Sequence, residues 1–504
     1  MDAVLLCLDS GTTTVKAAAF DRCGRMVAIA HRENSALRRD RVHVEQDMTV
    51  SRDDALAVLR ACVEQLTGRV EGIVLTAQGD GLWPIDAQGQ PVGPAMTWLD
   101  GRARALAAAP ERMAALEAIE EVTAARPTAA SQSLQLLWLQ QNDPARLAQI
   151  AHVLRLKEWL FLSLTGKLMA EPSAALPVWG DWRNGQMSGV VQDQLGLTRG
   201  IELLPDFTPV GDCRASLSAQ AAAAIGLPAG VPVLLGPGDV QATLIGLGLG
   251  GQTGVTRASI FGTSAIHACH LPDPAAMREK PAGAMVQRFV MGEGYLCFHP
   301  CFNGAALLQH VNQLLPGAAP THAPSYSGVV LHPFFEPGGE RAPFTAPHAS
   351  GAAFGLTAAT TPAQITWAAR EALAFIARTS HDMMNAPTGT LALGGGLAGD
   401  ADFAGFIATV MGSDVQRSTS GHAGLHGLAA IGARFLLGAD DATIARDWVG
   451  ATDEPIAPQQ GAIAAYAQSK FGVFSQLIGA VAPFWQTLST VRDQAEHLTK
   501  DQPA

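Results

Sequence analysis

Residues Asp9-Ser10-Gly11-Thr12-Thr13-Thr14-Val15-Lys16 place a tight turn of glycine and hydroxyl side chains between two apolar runs, 4–8 and 17–20. That order reads as strand, turn, strand. Such a turn gathers backbone N–H groups and hydroxyls at one point. Asp9 can orient a hydrated Mg²⁺ beside it, and Lys16 adds positive charge. The combination suits a polyphosphate, although the same composition also serves an ordinary hairpin turn.

The pattern that follows continues the constraint. Strands are expected at 4–8, 16–20 and 26–30. A helix opens at Ser51 with Leu56, Leu59, Val63 and Leu66 at helical spacing. A strand at 72–76 then ends in Ala77-Gln78-Gly79-Asp80-Gly81. Strands alternating with helices specify an α/β class. Residues 130–170 are helical and rich in aromatics. Near residue 255 the opening plan begins again. A strand at 255–261 meets the turn Gly262-Thr263-Ser264, then come extended pieces at 265–270, 288–291 and 295–298. Asn303-Gly304 leads into a helix at 305–315. A chain of 504 residues exceeds one typical core. The repeat predicts two similar domains, 1–250 and 251–504, each presenting a phosphate-binding turn, with the glycine-rich 246–254 stretch as hinge.

Composition excludes several partners. The net charge is −11 and no long Lys/Arg block occurs, so no basic face for nucleic acid is expected. No apolar run reaches the ~18 residues of a membrane span. Asp2 and the lack of a basic leader argue against a signal peptide. Seven scattered cysteines predict free thiols in a cytoplasmic protein. Cys297-Phe298-His299-Pro300-Cys301 lacks the second ligand pair of a structural zinc site. Gly246–Gly251 matches GxGxxG in form, but it follows a helix-like run where a dinucleotide site needs a strand. No GxxxxGK[ST] sequence occurs.

Three later segments can carry chemistry. Gly236-Pro237-Gly238-Asp239 ends a strand at 231–235 and precedes a helix from Val240. A carboxylate there can take a proton from a hydroxyl, or can cap the helix. Gly394-Gly395-Gly396 follows a strand at 390–393 and allows close backbone approach to a flat ligand, or simply a tight turn. The segment 334–343 reads as an ordered loop with a charge pair, Glu340 and Arg341.

Taken in order, these segments resemble the FGGY carbohydrate kinases of the actin and sugar-kinase superfamily. Asp9 to Thr13 looks like the first phosphate motif, and Trp98-Leu99-Asp100-Gly101-Arg102 like the Trp-x-Asp-x-Arg segment near the sugar. Gly238-Asp239 looks like the catalytic-base motif and Gly262-Thr263-Ser264 like the second phosphate motif. Gly339-Glu340-Arg341-Ala342-Pro343 with 351–356 is similar to the C-terminal hallmark, and Gly394-Gly395-Gly396 to the adenosine motif. Residues 424–430 look like the late Gly/Ala-rich helix.

The resemblance implies two actin-like, ribonuclease H-like domains with ATP in the cleft between them. It places Thr12, Thr13 and Lys16 at the γ-phosphate, Gly262 and Thr263 at the β-phosphate, and Gly304, Gly395 and Gly396 along the nucleotide. Asp9 would position Mg²⁺ through water, and Asp239 would be a second residue at the metal as well as the catalytic base. Gln78, Gly79, Asp80, Trp98 and Asp239 would line the substrate site. An aspartate base of ordinary pKa is ionised at neutral pH. Family members of this kind are often homodimers.

Typical D-xylulose kinases carry Gln-Met-His-Gly where this chain has Gln78-Gly79-Asp80-Gly81, which is closer to erythritol and L-xylulose kinases. Gln135 and Glu158 also stand where xylulose kinases show Lys and Asp. The expected substrate is a small neutral sugar, first a pentulose such as xylulose and alternatively an erythritol- or glycerol-like polyol. A non-catalytic actin- or chaperone-like ATPase and a sugar sensor are the rival classes.

Overall fold

The structure is a computed structural model and describes residues 3–277, 279–315, 323–336 and 338–500. Strands Ala3–Ser10 and Thr14–Asp21 pair antiparallel, with Asp9 opposite Lys16. Their connection is the predicted turn, closed by Gly11 N donating to Thr14 O at 3.0 Å. This hairpin sits within a six-stranded sheet. Its order is Arg214–Ser216, Pro232–Leu235, Arg69–Ala77, Ala3–Ser10, Thr14–Asp21, Met26–Glu33. Pro232–Leu235, Arg69–Ala77 and Ala3–Ser10 run parallel, so their C-terminal ends carry Asp239, Gln78 and Asp9 to one edge.

The second half repeats the plan. Its sheet runs Val415–Arg417, Thr390–Gly395, Val255–Phe261, Ala265–Leu271, Tyr295–Cys301, Met285–Arg288. The first three strands are parallel and the hairpin at Gly262–Ser264 occupies the place of the Gly11–Thr13 turn. The edge strand lies at Met285–Arg288 rather than at 288–291. Its pairing with Tyr295–Cys301 ends at Arg288, and the chain turns through 289–294 before that strand begins.

The helix expected from Ser51 begins at Met48. Asp47 caps it, accepting from Thr49 N at 2.9 Å and Val50 N at 3.1 Å, which satisfies free N–H groups three residues earlier. That helix and Leu156–Thr165 bury Val58, Leu59, Trp159 and Phe161 against one face of the first sheet. The other face is covered from far along the chain. Helix Ala423–Leu437 places Leu425, Leu428 and Ile431 on Leu5, Cys7, Val74 and Leu234. A five-stranded sheet, Leu37–Asp40, His43–Gln46, Ala95–Thr97, Gly81–Ile85 and His152–Leu154, flanks the first half.

All seven cysteines are free and only Cys23 is exposed. Cys297, His299 and Cys301 lie on one strand inside the second half, where His299 Nε2 bonds Ala282 O. Among the described residues no helix is long and apolar enough to cross a membrane.

Candidate active site

The strand ends of the first sheet bring Asp9, Lys16, Gln78, Gly79, Asp80 and Asp239 together. A Cβ placed on Gly79 would lie 3.7 Å from Asp239 Oδ1, so the absent side chain leaves room directly against that carboxylate. Asp239 opens helix Asp239–Gly246, with Gly238 as its cap, and its Oδ1 accepts from Val240 N at 2.9 Å. Asp9 is reached from the other side by the start of helix Ala423–Leu437. A Cβ on Gly424 would come within 3.2 Å of Asp9 Oδ2.

Three carboxylates so close cannot all ionise as they would in water. Burial pushes Asp239 up to about 7, and the charges of Asp9 and Asp80 push it the same way against the Val240 N–H. Burial raises Asp9 to about 6, with Lys16 opposing. Asp80 is raised by burial and pulled back by Arg155 and then Arg341. The expectation of an ordinary pKa for Asp239 is therefore corrected. The apolar strand ends and two like charges outweigh the helix N-terminus.

A buried polar network holds the turn that presents Asp239. Lys157 Nζ donates to Glu171 Oε2 at 3.0 Å and to Gly236 O at 3.2 Å. Ser173 Oγ donates to Glu171 Oε2 at 2.6 Å and accepts from Gly238 N at 3.3 Å. Thr76 Oγ1 adds a 2.6 Å bond to Pro237 O. Lys157, Glu171 and Ser173 are buried. Two helix N-termini, Leu156–Thr165 and Pro172–Trp179, thus fix the strand-to-helix turn. None of these partners is legible locally, because each lies far from Asp239 in sequence.

Trp98, Thr12 and Gln78 form a chain. Trp98 Nε1 donates to Thr12 Oγ1 at 2.9 Å, Thr12 Oγ1 donates to Gln78 Oε1 at 2.7 Å, and Gln78 Nε2 donates to Gln46 Oε1 at 2.8 Å. Gln78 is buried while Trp98 is 40% exposed. Thr12 spends its only hydroxyl proton on Gln78, so an anion at this turn finds backbone N–H groups and the exposed Thr13. Asp100 locks the end of the Trp98 segment, accepting from Val44 N and from both arms of Arg102. Gln135 and Glu158 are structural. Gln135 Nε2 donates to Thr97 O at 3.0 Å, and Glu158 Oε2 accepts from Arg155 N at 2.6 Å.

The second group gathers at the matching end of the other sheet. Gly262 and Thr263 are exposed at the hairpin tip, and Ala305 N donates to Gly262 O at 2.8 Å. A Cβ on Gly304 would fall 2.3 Å from the Ser264 carbonyl carbon, so only glycine lets that segment lie on the turn. Gly395 (φ +81°) pairs in register with Phe261, and a Cβ there would meet Phe261 O at 2.4 Å. Gly396 follows, also exposed. Among the described residues no direct hydrogen bond joins this group to the first.

The 334–343 loop links them electrostatically. Glu340 accepts from Phe302 N and Asn303 Nδ2, and Asn303 Oδ1 accepts from Phe335 N and Glu336 N. Arg341, stacked 4.6 Å over Phe302 and bonded to Pro300 O, is thereby held where its charge acts on Asp80. Pro337 lies outside the described residues. Arg155 was not singled out by the sequence, because nothing adjacent to it signals a site.

The family model for the FGGY family of carbohydrate kinases, N-terminal domain, matches residues 4–246, and that for the C-terminal domain matches residues 258–436. An erythritol kinase of Brucella abortus (strain 2308) is 30% identical over 97% of this chain and 98% of its own. A xylulose kinase of Escherichia coli (strain K12) is 26% identical over 83% of this chain and 87% of its own. Among solved structures, xylulose kinase from Rhodospirillum rubrum superposes with a TM-score of 0.85 at 23% identity, covering 96% of this chain and all of that one. Plasmodium falciparum glycerol kinase with ADP gives 0.82 at 16% identity, covering 95% and 98%. The two-domain α/β architecture is that of an actin-like ATPase fold.

Proposed function

This chain belongs to the FGGY family of carbohydrate kinases, which use ATP, and we propose that it phosphorylates a hydroxyl of a short neutral polyol of the erythritol class. The observation that carries the polyol reading is Asp80. Its carboxylate stands beside Asp239 with no hydrogen bond or ion pair among the described residues, next to the space left by Gly79. An ionised carboxylate only accepts. Every hydroxyl of a polyol can donate to it, whereas a ketone oxygen cannot. The erythritol kinase relative, similar along nearly the whole chain, supports the same choice. A pentulose such as xylulose is the second reading, favoured by the xylulose kinases among the relatives.

In this reading Asp239 accepts the proton of the attacking hydroxyl, aided by the network that fixes its turn. Backbone N–H groups at Thr12 and Thr13, with Lys16, face the γ-phosphate. Gly262 and Thr263 face the β-phosphate, and Gly304, Gly395 and Gly396 leave a flat surface for the nucleotide. The halves 1–250 and 251–504 would close around both substrates, excluding water that would otherwise take the phosphoryl group.

No cluster of three or more His, Cys, Asp or Glu able to hold a metal occurs among the described residues. Two buried carboxylates, Asp9 and Asp239, the first raising the pKa of the second, fit a cation that keeps most of its water and takes its other ligands from phosphate. When bound, Mg²⁺ supplies charge that neutralises the phosphate oxygens.

The test is ADP release from Mg-ATP with erythritol, xylitol, glycerol, D-xylulose, L-xylulose, D-ribulose and L-gulonate. Strong stimulation by a polyol is expected. Preference for a ketose would replace the polyol by a pentulose. No stimulation by any of them would return the protein to the sensor or chaperone-like class.

A further inference from the structure

Arg155 is a buried cation with donors to spare. Its side chain is 3% exposed, yet among the described residues Nε and Nη2 have no hydrogen-bond partner. Nη1 lies 3.9 Å from Glu158 Oε1, so one arm has a counter-charge and the other two donor groups have none. Unpaired buried donors of this kind carry a full desolvation cost unless something else satisfies them.

The fold puts Arg155 next to Asp80. Strand His152–Leu154 pairs antiparallel with Gly81–Ile85, with Leu154 opposite Trp83. Gln132 Nε2 reaches both Leu154 O at 2.9 Å and Gly81 O at 3.4 Å, which brings the residues flanking Arg155 and Asp80 to one amide group. Arg155 is the largest positive influence on the Asp80 carboxyl. Even so, the two form no ion pair among the described residues. A donor set and an acceptor thus stand near each other, both unsatisfied, at the end of the strand that leads to the site.

We propose that Arg155 and Asp80 act together as the specificity-determining pair of the substrate pocket, Arg155 donating to and Asp80 accepting from secondary hydroxyls of the acceptor. This rests on the kinase reading above and deepens its substrate assignment. A hydroxyl is the small group that both donates and accepts, so a vicinal diol satisfies both members at once. Removing one internal hydroxyl from the substrate leaves Arg155 or Asp80 unpaired again.

The experiment compares erythritol with butane-1,2,4-triol, which lacks one internal hydroxyl, in wild type, Arg155→Leu and Arg155→Lys. The readouts are kcat/KM for each acceptor, KM for ATP, and the melting temperature. Arg155→Leu is expected to lower kcat/KM for erythritol roughly 10- to 100-fold, the range for a lost charged hydrogen bond. It should lower that for the triol about 3-fold or less, so that the preference collapses, with KM for ATP unchanged. Arg155→Lys keeps the charge but loses the planar fork, and should recover part of the preference. Equal losses on both acceptors, or an unchanged preference, would overturn the proposal. If Arg155→Leu does not fold, Arg155→Lys decides by the same ratio. A wild type that prefers a ketose refutes the polyol reading alone. The same comparison on that ketose and its deoxy analogue then decides the role of Arg155.

Discussion

Because Asp239 titrates near 7, part of the population is protonated at neutral pH and holds no base. Activity per unit enzyme should therefore rise with pH through about 7 in the free enzyme, and a flat kcat/KM profile between pH 6 and 8 would contradict the base role. The same shift has a stability consequence of definite sign. The folded carboxyl holds its proton more tightly than the unfolded one. Its contribution is fully present below about pH 4 and is lost as pH rises to about 7. Asp239→Asn should thus melt higher than wild type at pH 8 by roughly 1 °C, for an effect of order 1 kcal/mol after discounting the side open to solvent. The two proteins should melt alike near pH 4. Turnover should fall roughly 10²- to 10⁴-fold, the usual worth of a general base, with nucleotide affinity within a few-fold. At this scale the sequence was informative about Asp239, whose Gly-Pro-Gly-Asp setting is local. It was silent about the raised pKa and about Arg155, since both depend on groups that only the fold assembles.

Helix Asp239–Gly246 crosses helix Ala423–Leu437 through two glycines. A Cβ on Gly246 would sit 1.9 Å from Ala423 O, and one on Gly427 would sit 1.8 Å from Ala242 O. Backbone touches backbone here, so no side chain can yield. Gly427→Ala must push the helices apart, and one carries Asp239 at its first residue while the other starts beside Asp9. We expect a loss of about 1–3 kcal/mol from overpacking, read as a lower denaturation midpoint, together with a fall in kcat that exceeds the change in KM for ATP. A variant with wild-type midpoint and kcat would show that this crossing does not set the spacing of the two carboxylates. Elements with strong apolar periodicity, such as Ala3–Ser10 and Val255–Phe261, were readable beforehand. Leu37–Asp40 was not, because three of its four residues are exposed and charged and nothing alternates. The glycine contact was hidden for a similar reason, since glycines in a Gly/Ala-rich run look alike until the partner helix is known.

The two six-stranded sheets share a core of five strands in one topology, and the repeat of strand, Gly/Thr turn, strands and helix announced it. The sequence repeat did not announce that the halves exchange support. Helix Ala423–Leu437 belongs to the second half in order but covers the first sheet, with Leu425, Leu428 and Ile431 buried on Leu5, Cys7, Val74 and Leu234. Gly432 lies so close that a Cβ would meet Val74 Cγ2 at 2.7 Å. A linear cut at residue 250 would therefore expose an apolar sheet face. Each of the three large helix side chains contributes about 1.5–3 kcal/mol by its burial, and large uncovered patches of this kind promote association. Residues 1–250 expressed alone should consequently bind a hydrophobic dye and lack a cooperative melt, and adding a peptide of residues 420–440 should reduce dye binding. If residues 1–250 instead melt cooperatively as a monomer without dye binding, the first half stands by itself. The helix would then be a clamp between two self-sufficient domains, and its effect on Asp9 and Asp239 would be confined to the closed enzyme.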